Sequence, residues 1–506
     1  MRKVYGTVKK GFFCRPGKIG SADMSDFYIL ITAVIVFLHM SLRTYTEFWY
    51  EQCLIIPCVL YMGVQLERGK YSGNKRILIL PIAMVVWFLF LQVKRSFEYA
   101  EPDNIGLFLS VYLFAFPLAY MQEDGEKKKT LKIFAGAYLA AAAVLSMEGL
   151  LLLVDHLPGY FCRYILWNGG RLEVFWHPNI AACFWMIGVV FCTTFLEQTG
   201  SCWLKLGSSA LLVLLCGALA LTHCRTATIL TGGYLGALLF FKIIKHGWKW
   251  FVPGVIVVFV ITAVFYTGAK WVYEANSDLL VIKYTQQMAL ENAEGATIET
   301  EVPFAENEEA EEAHHERTES ADSKDENRPV TIDPVTGDVQ LKTDSPQGSL
   351  ARDFGSLNSR THIWNAAKSV MRDSPSIFLW GIQRPGEYVS SCSSFKITHL
   401  HNAWVECFMG LGIVGFLIAV VFTLIAVWNS LVILLKHNQD VWKRNVALLT
   451  LCLLAASVLE PYLFYTTLSY NLIDFLFFLC VGYLLVWQKE DNRHIINWIR
   501  GRMSFR

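Results

Sequence analysis

Charged residues are scarce in this 506-residue sequence. Only 17% of the residues are Asp, Glu, Lys or Arg, and 54% are hydrophobic, whereas an average soluble domain is about 25% charged. The mean hydropathy is +0.38 and the net charge is only +1. This composition is typical of a membrane protein, and we expect no nucleic-acid partner.

Paired cysteine motifs and a signal-peptide cleavage site are also missing. The thirteen cysteines include no C-x-x-C pair, and most lie inside apolar segments, where they are expected to be small buried hydrophobes. The basic start MRKVYGTVKKGFFCRPGK precedes the first apolar segment, but no Ala-x-Ala-like site follows it. We interpret that segment as an uncleaved membrane anchor.

Long apolar runs, by contrast, are frequent. Twelve of them approach the roughly 20 residues that a helix needs to cross a bilayer. Their spans are 27–42, 48–65, 77–93, 104–121, 131–154, 178–197, 203–222, 225–244, 250–269, 403–435, 442–460 and 466–487. The sequence therefore predicts an all-α polytopic membrane protein with about 12 transmembrane helices.

The distribution of Lys and Arg predicts the orientation of these helices. With both termini in the cytoplasm, the inner loops and termini carry 26 of the 44 Lys and Arg residues, and the short outer loops carry six. The other twelve lie in one long outer loop, between helices 9 and 10. Positive charge concentrates on the cytoplasmic side of membrane proteins, so we expect a multi-pass membrane protein with both termini in the cytoplasm.

These patterns divide the chain into five parts. We expect a cytoplasmic basic N-terminus, membrane helices 1–9, an extracytoplasmic loop, membrane helices 10–12 and a cytoplasmic tail. Their respective ranges are 1–26, 27–269, 270–400, 401–487 and 488–506.

The extracytoplasmic loop has two distinct segments. Residues 291–327 contain fourteen acidic residues against two basic ones and almost no aromatics, so we expect 291–350 to be a disordered acidic insert. An amphipathic stripe then predicts a helix over 356–374, with its apolar side on the membrane surface.

Five cationic or titratable residues fall on the predicted outer face. Arg225 occupies a tight hairpin, Arg360 opens the amphipathic helix, and His399 and His401 precede helix 10; Arg171 lies before helix 6. A guanidinium binds phosphate oxygens in a bidentate manner. The alternative for each arginine alone is that its side chain only reaches the headgroup level.

His401 and Asn402 stand at the start of a helix. Asn402 is a good N-cap residue, and the positive end of the helix dipole favours a neutral imidazole, as a general base requires. A single histidine at a helix start is more often a structural residue, and this alternative stays open.

Four sequence blocks resemble the O-antigen ligase and polysaccharide polymerase family. His401 and Asn402, then nine residues, then Gly412 and Gly415 are similar to its H-N…G-x-x-G signature. Arg225 in CRTATIL resembles its Arg-x-x-x-Leu element. RLEVFWHPN resembles its block ending in Asn-Pro-Asn, and SLNSRTHIWNAAKSV resembles its Gly-Arg…Trp-x-x-Ala helix.

The resemblance implies a membrane glycosyltransferase of the C type, located in a bacterial cell membrane. Such an enzyme transfers a glycan from an undecaprenyl-diphosphate carrier to an acceptor hydroxyl outside the membrane, in cell-surface polysaccharide assembly. His401 is then the expected catalytic base, and Arg225 and Arg360 are expected to bind the diphosphate, with Arg171 and His399 as further candidates. No outward cluster of Asp and Glu is evident for Mg²⁺, so we expect no metal and no cofactor. Direct attack of the acceptor hydroxyl on the anomeric carbon is expected to invert its configuration.

Two other function classes remain open. A transporter of small anions would use the same arginines for selectivity, and a scaffold would use the acidic insert to bind a partner. Within the enzyme class, a ligase and a polymerase differ only in the acceptor. A ligase uses a separate glycolipid or protein, and a polymerase uses a second carrier-linked repeat unit. The sequence does not separate these two.

Overall fold

The structure is a computed structural model of the whole chain, of which part can be described. The described residues are 24–42, 53, 55–68, 78–99, 109–110, 112–120, 122, 124–154, 166–167, 170–172, 178–298, 331–332, 339–340, 349–392, 399–436, 438–464 and 473–485.

Helices dominate these residues. They are α1 (Met24–Leu42), α2 (Ile55–Arg68), α3 (Ile79–Glu98), α4 (Ala115–Tyr120), α5 (Asp124–Val154), α6 (Pro178–Gln198), α7 (Cys202–Leu221), α8 (Arg225–Ile244), α9 (Phe251–Ile298), α10 (Ser349–Asp373), α11 (Pro375–Trp380), α12 (Pro385–Ser391), α13 (Ala403–Lys436), α14 (Val441–Ser457) and α15 (Ile473–Leu484). Two-residue strands form two antiparallel pairs, β1 (Leu166–Trp167) with β2 (Arg171–Leu172) and β3 (Thr331–Ile332) with β4 (Val339–Gln340).

Seven described helical segments are long and apolar enough to cross a membrane. They are Ile79–Glu98, Gly125–Leu151, Pro178–Gln198, Cys202–Leu221, Arg225–Ile244, Trp248–Lys283 and Ala403–Lys436. The all-α, polytopic class predicted from the sequence is therefore confirmed. The total of twelve membrane helices and the position of the long outer loop stay predictions.

Helix α6 forms the centre of the bundle. In the most apolar stretch of α6, 89% of the residues are buried, compared with 6% in the most apolar stretch of α9. The sequence of α6 is apolar on all sides, as expected of a helix surrounded by other helices. It packs against α5, α7, α8 and α14, so α9 lies at the periphery.

The structure differs from the sequence prediction in the length of α9. This helix continues from the predicted end of the span, at 269, to Ile298 and thus into the insert predicted to be disordered. Residues 284–298 are rich in Ala, Glu, Gln, Leu and Met, which are strong helix formers. The β3–β4 pair also falls inside the predicted insert, and most of the remaining insert lies outside the described residues.

The amphipathic helix, α10, packs on protein. It begins at Ser349, before the predicted start at 356, and ends at Asp373. Ile363 and Ala367 of its apolar stripe are buried in a second hydrophobic cluster together with Leu400 and Met409. The stripe predicted to face the membrane surface is thus covered by α11, α12 and the start of α13.

Candidate active site

A buried ion pair joins α10 to the end of α14. Arg360 donates one hydrogen bond to the carbonyl of Leu459, at 2.9 Å, and another to the Glu460 carboxylate, at 3.0 Å. Glu460 is 2% exposed, and the side chain of Arg360 is 20% exposed. A carboxylate at this depth needs such a partner, because an isolated buried charge is very costly.

Arg171 extends this polar network to α6 and α7. Its Nε donates to the carbonyl of Thr222 and its Nη2 to Oδ1 of Asn179, both at 2.8 Å. Tyr462 donates from its hydroxyl to the carbonyl of Asn179, at 2.6 Å. Asn179 and Arg171 also interact with the Glu460 carboxyl group. Arg171 and Arg360 are therefore held by one network around a single buried carboxylate.

The start of α13 is anchored to the same network. Oδ1 of Asn402 accepts from the backbone amides of Trp404, at 2.9 Å, and Val405, at 3.1 Å. Its Nδ2 donates to the carbonyl of Val458, at 2.8 Å. The N-cap predicted for Asn402 is present, and the same side chain ties α13 to the residues before Glu460. We call this end of the bundle, where α13 begins and α14 ends, the His end.

His399 and His401 lie against each other immediately before the helix. Their ring centroids are 4.1 Å apart and the planes are inclined by 69°. His399 is 6% exposed. Burial, with the nearby Arg360 charge, lowers the pKa of His399 from 6.5 to about 4. This imidazole is therefore neutral at physiological pH. His401 has a φ of 52°, a left-handed conformation that turns the chain into α13.

Arg225 lies beside this network and lines a small pocket of its own. It is the first residue of α8, and the turn before it, at Thr222, accepts the hydrogen bond of Arg171. The thiol of Cys224, its chain neighbour, interacts with Glu460 and Tyr462. The structure therefore gathers Arg171, Arg360, His399, His401 and Asn402 at the His end, and Arg225 adjoins them.

Gly412 breaks the helix that carries the histidines. Its φ of 65° and ψ of −177° are not helical, and such a conformation is essentially restricted to glycine. A Cβ atom here would lie 2.2 Å from the carbonyl oxygen of Leu379, and one on Gly381 would lie 2.3 Å from that of Gly410. Backbone thus packs directly on backbone at this break, and the residues 403–411 form a short helical segment below the histidines.

Donors from two other elements satisfy the carbonyls that the break releases. The amide of Ile382 donates to Met409, at 2.7 Å, and the indole of Trp87 donates to Leu411, at 3.0 Å. Arg95 of α3 is buried and donates to the carbonyls of Gly410 and Ile382. The orientation of the histidine-bearing segment is consequently set by α3 and by the α11–α12 connection.

A comparison with family models matches residues 210–420 to the family described as O-antigen ligase. The chain contains an O-antigen ligase domain. The family predicted from the sequence blocks is thereby confirmed. A search of curated proteins found no match.

The matched O-antigen ligase domain covers only part of the site. Arg225, Arg360, His399 and His401 lie within 210–420, whereas Arg171 and the residues after α14 lie outside it. The site is therefore completed by elements on both sides of the matched region. Within the described residues, no group of three or more His, Cys, Asp or Glu is placed to hold a metal ion.

Sequence reasoning overlooked three residues of this arrangement. Glu460 ends an apolar segment, a position at which a carboxylate is expensive and therefore informative. Asn179 is the last residue of the HPN block and was not singled out. Arg95 counted only as one cation of an outer loop, and nothing in the sequence relates α3 to the break at Gly412.

Proposed function

We propose that this protein is an extracytoplasmic glycosyltransferase that moves a glycan from undecaprenyl diphosphate to an acceptor hydroxyl. The observation that carries the proposal is the position of the His399–His401 pair beside the Arg360–Glu460 pair, at one end of the bundle. A base and fixed cations are the two components that displacement of a diphosphate from a sugar requires.

His401 is the proposed general base. The acceptor oxygen attacks the anomeric carbon and its proton passes to the His401 ring, while the bond from that carbon to the phosphate oxygen breaks. Attack opposite the leaving group inverts the anomeric configuration. His399 is neutral and packed edge-on against His401, so it orients the base without placing a second positive charge beside it.

The arginines are proposed to stabilise the leaving diphosphate. Negative charge develops on its oxygens as the glycosidic bond breaks, and guanidinium groups held in advance lower the barrier without reorganisation. Arg360 and Arg171 are held by Glu460 and Asn179, and Arg225 adjoins them. Since the arginines supply this countercharge, we expect transfer without a divalent metal.

The proposed location is a bacterial cell membrane, with both termini in the cytoplasm and the His end outside. Asp, Lys and Arg residues crowd the opposite end of the bundle, around Lys242, Asp440 and Arg444, in agreement with the bias of positive charge towards the cytoplasm.

The test is a transfer assay with purified protein. The protein is reconstituted with an undecaprenyl-diphosphate oligosaccharide, with and without EDTA, and the products are separated by gel. A ladder of repeats from this substrate alone indicates a polymerase, and transfer that requires an added glycolipid indicates a ligase.

His401→Ala should reduce transfer by at least about 10²-fold, as expected for loss of a general base. His246→Ala is the matched control, because His246 is exposed near the opposite end of α8; it should keep full activity. Normal transfer by His401→Ala would contradict the proposed mechanism, and flux of a small anion without product would favour a transporter.

A further inference from the structure

The residue between the two histidines is bound by side chains from two helices. The carbonyl of Leu400 accepts a hydrogen bond from Nε1 of Trp364, at 2.8 Å, and its amide donates to Oε2 of Glu406, at 3.3 Å. Trp364 belongs to α10, and Glu406 lies in the first turn of α13. Both backbone polar groups of Leu400 are therefore bound by side chains, one from before it in the chain and one from after it.

The depth of Leu400 makes both hydrogen bonds necessary. Leu400 and Glu406 are each 0% exposed, and a buried backbone amide or carbonyl is costly unless it has a partner. The side chain of Leu400 is also enclosed, in the hydrophobic cluster that contains Val389 and Met409. The surrounding protein thus fixes the amide, the carbonyl and the side chain of this residue.

His401, the next residue, depends on such fixed surroundings. Its φ of 52° costs about 1 kcal/mol, and a residue stays in this conformation only where neighbouring contacts impose it. A relaxed turn would change the direction in which the imidazole leaves the backbone. Since a displacement of about 1 Å can cost about 10²-fold in rate, the two bonds to Leu400 bear directly on catalysis.

We propose that Trp364 and Glu406 are positioning residues, which fix His401 in place through the Leu400 backbone. This inference rests on the proposed function, in which His401 is the base. It also gives a physical role to the tryptophan of the SLNSRTHIWNAAKSV block, which the diphosphate chemistry does not use. Glu406 acts here as a hydrogen-bond acceptor, so an amide oxygen in the same place can replace its carboxylate oxygen.

The test separates turnover from substrate binding in the reconstituted transfer assay. Glu406→Leu and Trp364→Phe each remove one of the two bonds and should lower kcat about 10- to 100-fold. The KM of the donor should change by less than about twofold, because the arginines proposed to bind its diphosphate are unaltered. Glu406→Gln keeps an acceptor oxygen and should recover most of the kcat that Glu406→Leu loses.

Trp442→Phe is the matched control. Trp442 is fully buried and donates from its indole to Gln198, at 2.7 Å, where α6 ends. The variant removes the same kind of hydrogen bond at a distance from the histidines, so it should lower the unfolding temperature and keep kcat. An equal loss of kcat in Trp442→Phe and Trp364→Phe would reflect lower stability alone and would overturn the proposal.

Hydrogen exchange of the Leu400 amide, resolved by mass spectrometry, provides a measurement that needs no turnover. Exchange should be slow in the wild type and faster in Glu406→Leu. Equally slow exchange in both overturns the proposal, whether or not the protein transfers glycan. Faster exchange with an unchanged kcat overturns the positioning role. Normal transfer by His401→Ala refutes the proposed function, and the positioning role with it, whereas the exchange result decides the bond from Leu400 to Glu406 independently.

Discussion

Helices α6 and α14 run side by side, and each end of the pair carries a buried Arg–Glu contact. At the His end, Arg360 pairs with Glu460. At the other end, which we call the Arg444 end, Arg444 pairs with Glu197, and Lys242 contacts the same carboxylate at 3.1 Å. The composition of the two ends is similar, so the difference between them lies in their geometry and surroundings.

The Arg444 end has ordinary helical termini. Asp440 caps α14 through the amides of Trp442 and Lys443, at 2.9 and 3.2 Å, and Asn445 donates to Thr194 at 2.9 Å. Every one of these contacts closes a helix end or joins two helices. This arrangement stabilises the bundle.

Backbone strain, in contrast, gathers at the His end. In the described part of the chain, left-handed φ values occur at four residues other than glycine, namely His223, Arg384, His401 and Phe464. All four lie in connections at or next to this end. Each costs of order 1 kcal/mol, and such residues cluster at functional sites because the surroundings must hold them. The Arg444–Glu197 pair therefore joins regular helices, whereas the Arg360–Glu460 pair lies among strained connections.

The largest effect is expected at the helix break. Gly412→Ala adds a Cβ that overlaps the Leu379 carbonyl and forces a non-glycine residue into a glycine conformation. Strain and overlap together should lower the free energy of unfolding by about 4 kcal/mol. Thermal unfolding in detergent measures this loss.

Gly217→Ala is the matched control for the helix break. Gly217 lies inside α7, and apart from the adjacent backbone of α7 no atom would come within 4 Å of an added Cβ. This variant should be as stable as the wild type or slightly more stable. Equal stabilities of the two variants would show that the folded protein does not need the glycine conformation at position 412.

The two ion pairs provide the next comparison. Glu460→Ala leaves Arg360 without its carboxylate and should cost about 3 kcal/mol, the lower part of the range for a broken buried pair, because Arg360 keeps some exposure. Replacing both partners by Met should recover much of the stability at either end. Thermal unfolding and the transfer assay are measured on both double variants.

Activity should distinguish the double variants. Arg360→Met with Glu460→Met should abolish transfer, whereas Arg444→Met with Glu197→Met should keep it. If both double variants remain active, the difference between the ends is structural only, and Arg360 has no role in transfer.

The smallest effect is a dependence of stability on pH. The pKa of His399 is about 4 in the folded protein, against 6.5 unperturbed. Between these two pH values the unfolded chain binds a proton at this histidine and the folded chain does not. Stability should therefore fall as the pH decreases from 7 to 5, by about 2 kcal/mol from this residue.

His399→Asn removes this titration and should flatten the curve over that range. Apparent unfolding temperatures of both proteins at pH 7, 6 and 5 provide the measurement. Parallel curves for the variant and the wild type would place the lowered pKa of His399 in doubt.

Local patterns in the sequence predicted much of the fold and part of the site. Hydropathy located the helices, because burial in a membrane requires apolar runs of a given length. The cap at Asn402 followed from residue type and spacing, as did the helix that carries Arg360. The extension of α9 to Ile298 was missed, because composition was used to predict disorder where helix propensity prevailed.

Other features depend on contacts between residues far apart in the chain. Arg95 lies more than 300 positions from the Gly410 carbonyl to which it donates, and Glu460 lies 100 positions from Arg360. Neither hydrophobic periodicity nor a local motif predicts pairs of residues so far apart in the sequence.

By itself, the sequence determined that this protein is a helical membrane protein and that it resembles the O-antigen ligase family, since these properties depend on composition and short motifs. Only the tertiary structure decided which of the many charged residues form ion pairs and hydrogen bonds with one another. A buried carboxylate and a broken helix need partners, and packing alone supplies these partners from distant parts of the chain. For this reason the contacts of Glu460, Asn179 and Arg95 follow from the packing of α3, α6, α13 and α14 and could not be predicted from the sequence.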